Sequence, residues 1–205
     1  MDWSFREKWD EYTWSKEIRK DELRIAGYFR ALKNRLDLPG EEDMIFKQLM
    51  SQPELVPSGV KDPLRTLKLE MEELEEEAEG GAAWEKRFRN PFNAAVKIEK
   101  SVAEWNLLAA ANMPLSPKVL AVTCAFGKLL SRMYNFMETD EEPETLALRK
   151  SLLKHMLHDL NGILTLLRDF NERSYDGSVA DLFKEFFPAL AAVREEILDK
   201  LKALK

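Results

Sequence analysis

Apolar residues recur at helical spacing along almost the whole chain. Ile18, Ile25, Phe29, Leu32 and Leu36 lay one stripe along a first helix, which Leu38-Pro39-Gly40 should stop. A short helix over about 41–50 follows, and then a loop punctuated by Pro53, Pro57, Gly59 and Pro63. Residues 64–79 read as a helix that Gly80-Gly81 ends, and Asn90-Pro91 places the next turn and helix start. From there the pattern is regular. Residues 92–112 are Ala-rich and apolar nearly all round, as suits a buried helix. After Met113-Pro114-Leu115-Ser116-Pro117, residues 118–137 carry Val119, Phe126, Leu130, Met133 and Met137 on one face. A polar break over 139–144 precedes a long amphipathic helix over 145–173. Tyr175-Asp176-Gly177 makes a turn, Ser178 and Asp181 suit a capping box, and the last helix runs towards Lys205 with Pro188 expected to kink or split it.

Four helices of this length joined by short loops predict an all-α fold, an antiparallel up-and-down bundle of about four helices over residues 84–205. Residues 1–80 form an additional N-terminal helical region. Its aromatic start, Trp3, Phe5, Trp9, Tyr12 and Trp14, is expected to pin the first helix by burial, although such residues also serve as interface anchors.

Composition narrows the function. Two histidines and one cysteine in 205 residues exclude an internal disulfide, a Cys-rich zinc or iron–sulfur site and a multi-histidine iron site. No cofactor is expected. The net charge of −6, with Lys and Arg dispersed among acids, argues against nucleic acid as a partner. No apolar run approaches the ~18 residues of a membrane span, and the charged N-terminus lacks the apolar core of a signal peptide. With Cys124 alone, read as a small packing residue, these features point to the cytoplasm and away from a membrane.

One stretch carries candidate chemistry: His155-Met156-Leu157-His158-Asp159-Leu160-Asn161-Gly162-Ile163-Leu164-Thr165. On a wheel of about 100° per residue, Leu153, Leu157, Leu160, Leu164 and Leu167 group on one side. His158 points away from them, among Ser151, Lys154, Asn161, Gly162, Thr165 and Asp169, and His155 sits at the margin. The pattern predicts a solvent-facing imidazole in mid-helix, nucleophilic at neutral pH, with a small residue one turn on.

The stretch resembles the phosphoacceptor helix of two-component signalling. His158-Asp159-Leu160-Asn161 followed by Leu164-Thr165 is similar to the H-box of sensor histidine kinases. Leu160 and Gly162, at +2 and +4, match the histidine phosphotransfer (HPt) domain. The resemblance implies His158 as phosphoacceptor, Asp159 orienting or deprotonating it, Lys154 offering charge, and Asn161, Gly162 and Thr165 lining the face a response-regulator-like partner approaches. It covers about a tenth of the chain. Asn161 stands where HPt domains carry Lys, Gly162 where kinases carry the phosphatase Thr or Asn, and no ATP-binding motif follows, so the chain reads as a carrier more than an enzyme.

Two readings stand beside it. A non-catalytic helical scaffold or protein-interaction module would leave His158 an ordinary surface residue. Alternatively, Glu72, Glu73 and Glu76 form an E-E-x-x-E pattern that resembles part of the magnesium site of MazG-type nucleotide pyrophosphohydrolases. That family's later E-x-x-D helix has no counterpart here, and a run this acidic also suits a solvated helix face.

Overall fold

A computed structural model describes residues 8–32, 39–56, 58, 92–112, 117–171 and 177–204. It is all-helical: α1 (Glu11–Leu32), α2 (Glu41–Met50), α3 (Asn93–Asn112), α4 (Pro117–Glu138), a 3-10 turn (Pro143–Thr145), α5 (Leu146–Asn171) and α6 (Gly177–Ala203). The chain divides into two compact units, residues 1–86 and 87–205.

In the second unit α3 packs on α4 and α6, and α5 packs on the same two, so the four helices close a ring around one core. The seams show the directions. Trp105 near the end of α3 meets Thr123 near the start of α4, while Glu99 near the start of α3 meets Tyr134 near the end of α4. Arg149 lies 5.0 Å from the Phe136 ring centroid and Arg132 reaches Asp159, which sets α5 antiparallel to α4. Lys97 on α3 pairs with Glu196 on α6. The bundle is therefore an up-and-down one.

Its core is assembled from one stripe per helix. Ile98 and Trp105 come from α3, Phe126, Leu129, Met133 and Phe136 from α4, Leu153, Met156, Leu160 and Ile163 from α5, and Phe186, Leu190, Val193 and Ile197 from α6. Spacings of three and four keep each set on one helix face. Trp105 is fully buried yet satisfied: its indole N–H donates to Thr123 Oγ1 at 3.0 Å, and that hydroxyl donates to the Val119 carbonyl at 3.1 Å. The α4–α5 connection is tied by Thr145, whose hydroxyl donates to the carbonyls of Asp140 (2.5 Å) and Glu142 (3.0 Å).

Three expectations are corrected here. The Ala-rich α3 is not buried all round, since Val96 and Leu107 (73% exposed) face water; small residues supply close packing on the inner side without needing cover on the outer. Cys124 is exposed and does not pack. Pro188 does not split α6, which continues through it. Pro188 is exposed, while Phe183, Phe186 and Leu190 hold both flanks to the core.

In the first unit, Asp10 caps α1 by accepting the Thr13 amide at 2.8 Å. Gly40, at φ 68°, precedes α2 in the left-handed region that glycine tolerates best. A Cβ at Gly27 would lie 2.7 Å from Leu49 Cδ2, so α1 and α2 approach closely there. The buried cluster is small: Ala31, Ile45, Leu49 and Leu55, flanked by Tyr28, Leu32 and Met50.

The stripe expected to bury α1 is only partly covered: Leu32 flanks the cluster, but Ile25 is 54% and Phe29 67% exposed. Polar residues of α1 also turn inwards. Arg24 Nε donates to the Leu55 carbonyl at 2.7 Å, and Lys20 Nζ donates to the Val56 carbonyl and Ser58 Oγ, both at 3.0 Å. The chain leaving α2 thus obtains donors for carbonyls that α2 no longer satisfies. Glu17 completes the network, 2.8 Å from Lys20 Nζ and accepting the Ser58 hydroxyl at 2.6 Å. Of the aromatic start, Trp9 and Trp14 meet edge-to-face at 4.8 Å and Tyr12 is exposed, while Trp3 and Phe5 lie outside the described residues.

Core and exposed apolar positions should respond differently. Met156→Ala should cost about 2–5 kcal/mol in urea unfolding, and Phe29→Ser should change stability by less than about 0.5 kcal/mol. Burial raises the Glu17 carboxyl's pKa, but hydrogen bonds from Lys20 and Ser58 outweigh it and hold the group below its ordinary 4.5. A depressed folded pKa contributes stability that is present above 4.5 and lost as the pH falls through the folded value. Glu17→Gln should therefore lower the thermal midpoint at neutral pH and leave a smaller further loss on acidification to about pH 3.5, read by circular dichroism.

Candidate functional site

The site is built on the middle of α5, the third helix of the bundle. Leu152, Met156, Leu160, Ile163 and Leu167 are buried, which fixes the rotation of the helix. Lys154, His158, Asn161, Gly162 and Thr165 are all exposed on the opposite side. The structure brings these five expected residues onto one surface. Among the described residues, no hydrogen bond or ion pair holds the His158 ring. Thr165 donates its hydroxyl to the Asn161 carbonyl at 3.0 Å, so it is folded back on its own helix. Gly162 is mid-helix and a Cβ built on it would meet nothing within 4 Å.

Asp159 does not belong to this surface. One residue on from His158, it is turned about 100° and is only 8% exposed. Its Oδ2 pairs with Arg132 Nη1, and its Oδ1 lies 3.4 Å from Lys128 Nζ. Arg132 Nη1 also reaches the His155 carbonyl at 3.3 Å. Asp159 as the group that orients or deprotonates His158 is therefore corrected: its carboxylate is committed to α4. The reason is electrostatic, since a carboxylate at the helix seam needs a cation to offset lost hydration, and Arg132 is the buried cation beside it. Burial in turn pushes the Arg132 guanidinium down to about 10, still charged near neutrality, and lowers the Lys128 amine.

Ser151, expected among the polar neighbours of His158, is buried, two turns nearer the 3-10 turn. His155, placed at the margin, is likewise buried. Only one of the two histidines is open to a partner.

Arg132 and Lys128 were missed because they stand on another helix. A signal did exist. Arg132 falls between Leu129 and Phe136 in the buried stripe of α4, and Asp159 falls between Met156 and Ile163 in that of α5. Opposite charges inside two apolar stripes are the trace of a buried pair.

Glu72, Glu73 and Glu76 lie outside the described residues. Among the described residues no group of three or more His, Cys, Asp or Glu is placed to hold a metal ion, and no helix is long and apolar enough to cross a membrane.

Removing one partner of a buried pair strands the other. Asp159→Ala should cost about 3–5 kcal/mol in chemical unfolding, with Arg132→Met/Asp159→Leu together recovering most of it, whereas His158→Gln should stay within about 0.5 kcal/mol of wild type. Equal costs for Asp159→Ala and His158→Gln would contradict the inward placement of Asp159.

Comparison with protein-family models, with curated proteins and with solved structures finds no match for the chain.

Proposed function

We propose that the bundle is a phosphotransfer-type signalling module in which His158 accepts a phosphoryl group from a partner protein. One observation carries the reading: His158 is an exposed imidazole, held by no described side chain, in the middle of a bundle helix whose residue four positions on has no side chain. The donor is a response-regulator-like domain bearing an aspartyl phosphate. A ring nitrogen lone pair attacks phosphorus, the acyl-phosphate P–O bond breaks with its electron pair returning to the partner's carboxylate, and the ring N–H proton passes to water. Lys154 and Asn161 flank the approach. With Asp159 committed to Arg132, the imidazole acts without an adjacent base. Acyl phosphates and reduced Cys124 both suit the cytoplasm.

The second reading, an interaction module, is favoured by a different observation. Ile25, Tyr28, Phe29, Phe46, Leu49 and Met50 line an apolar groove of about 360 Å³ between α1 and α2. Exposed apolar surface of this kind is what binding sites are made of.

Phosphorylated response regulators from the source genome should label the wild-type chain and spare His158→Gln. Gly162→Ala should raise the melting temperature, by up to about 1 kcal/mol of stability, because alanine suits a helix better and nothing is in the way. The same substitution should slow labelling, since the methyl stands in the partner's path. Labelling that persists in His158→Gln would overturn the proposal; absence of label with every regulator would favour the interaction module.

A further inference from the structure

Helix α3 carries apolar residues on two opposite faces. The inner face, with Ile98 and Trp105, is buried in the bundle core. On the outer face Asn93, Val96, Lys100, Ala103 and Leu107 are all exposed, and they follow one another at intervals of three, four, three and four. That alternation is the 3.5-residue repeat of a helix–helix seam. Val96 is 64% and Leu107 73% exposed. Among the described residues of this unit, the exposed large apolar side chains are these two and Leu120 on α4, with none on α5 or α6. The bundle closes without this second stripe, so its apolar members have no role in the fold of the single chain.

The stripe matches a second copy of itself. Its centre falls between Ser101 and Val102, with Val96 and Leu107 about 8 Å away along the axis on either side. A two-fold axis through that centre sets two α3 helices antiparallel, and each Val96 then meets Leu107 of the other copy. Ala103, next to the axis, presents only a methyl group and lets the backbones approach. Charge follows the same symmetry. Such an axis keeps like flanks together, and Lys100 and Glu104 both lie on the flank towards α6, where Lys97 pairs with Glu196. Each Lys100 therefore comes level with Glu104 of the other copy, which gives two reciprocal ion pairs. Within one chain Lys100 Nζ lies 3.7 Å from Glu104 Oε1, with the side chains 78% and 38% exposed, so exchanging that contact for one across the seam costs little.

We propose that the outer face of α3 is a self-association surface, on which two copies of the chain pack antiparallel along residues 93–107. The seam is about 20 Å long and smaller than the interface of a permanent dimer, so association is reversible and in the micromolar range. α5 packs on α4 and α6, across the core from α3, so the dimer leaves the His158 face of each copy uncovered. The inference does not depend on what His158 does.

Analytical ultracentrifugation of the full chain supplies the test. Between about 1 and about 300 µM the wild type should pass from monomer to dimer. Leu107→Glu should weaken association about a hundredfold, since the two-fold axis inserts the change twice. Lys100→Glu and Glu104→Lys should each weaken it about tenfold by setting like charges face to face. Mixed in equal amounts, these two variants should associate again as a heterodimer, because the glutamates of one copy then face the lysines of the other. Melts followed by circular dichroism at monomer concentration should find every variant as stable as the wild type. A wild-type chain that stays monomeric up to about 300 µM would overturn the proposal, and so would a dimer that Leu107→Glu leaves intact, which belongs to another face. Mixed variants that fail to associate would overturn the antiparallel pairing on which the proposal rests. A lower melting temperature for monomeric Leu107→Glu would show the stripe covered within its own chain and would overturn it as well.

Discussion

The Arg132–Asp159 pair sets the geometry on which the functional face depends. Apolar packing between two helices is nearly indifferent to a small rotation of either, because leucine and methionine side chains re-pack at modest cost. A buried carboxylate is not indifferent. Asp159 must meet Arg132, and Arg132 in turn meets the His155 carbonyl, so α5 is fixed against α4 in both rotation and register. Such a pair adds little net stability, since both groups lose hydration, but any arrangement that separates them is heavily penalised. Because neighbouring helical residues diverge by about 100°, pinning Asp159 inwards holds His158 outwards. The acid beside the histidine thus determines where the imidazole stands, without touching it.

The same division of labour recurs around the ring. Each seam with a defined partner joins an apolar interior to a polar contact: Trp105 with Thr123 and Tyr134 with Glu99 between α3 and α4, and Lys97 with Glu196 between α3 and α6. The hydroxyl of Tyr134 is pushed up to about 12 by its hydrogen bond to Glu99 and by burial, so it remains a donor at any physiological pH. The core, from Phe126 and Met133 to Leu160 and Ile197, provides the non-directional driving force, and the seam contacts select one alignment among those the core would accept.

Much of this was legible in the chain. The bounds of α2, α4 and α5 follow from Gly40, from Pro117 and from the polar break at 139–144, since backbone chemistry acts locally. The exposure of His158 was legible too, because the leucines around it leave one face for it. What eluded the pattern depended on other elements. Ile25 and Phe29 have the spacing of a core stripe, but the covered side of α1 combines Ala31 and Leu32 with Lys20 and Arg24, which donate to the carbonyls of Val56 and Leu55. Asp159 read as a partner for its neighbour in sequence; its partner in space is 27 residues away. A single helix wheel carries no information about what stands across the seam.

Gly162 shows where folding stops explaining the sequence. Mid-helix glycine costs about 1 kcal/mol relative to alanine, and here no neighbouring atom forbids a methyl group. Gly127 on α4 has equally open surroundings, so an exposed glycine does not by itself mark a site. What distinguishes Gly162 is its company: an imidazole one turn before it on the same face, and at the adjacent seam a buried carboxylate paired with Arg132. Each feature alone is compatible with an ordinary helix surface. Together they leave an exposed imidazole beside a position with no obstructing side chain, held outwards by the ion pair closed beneath it.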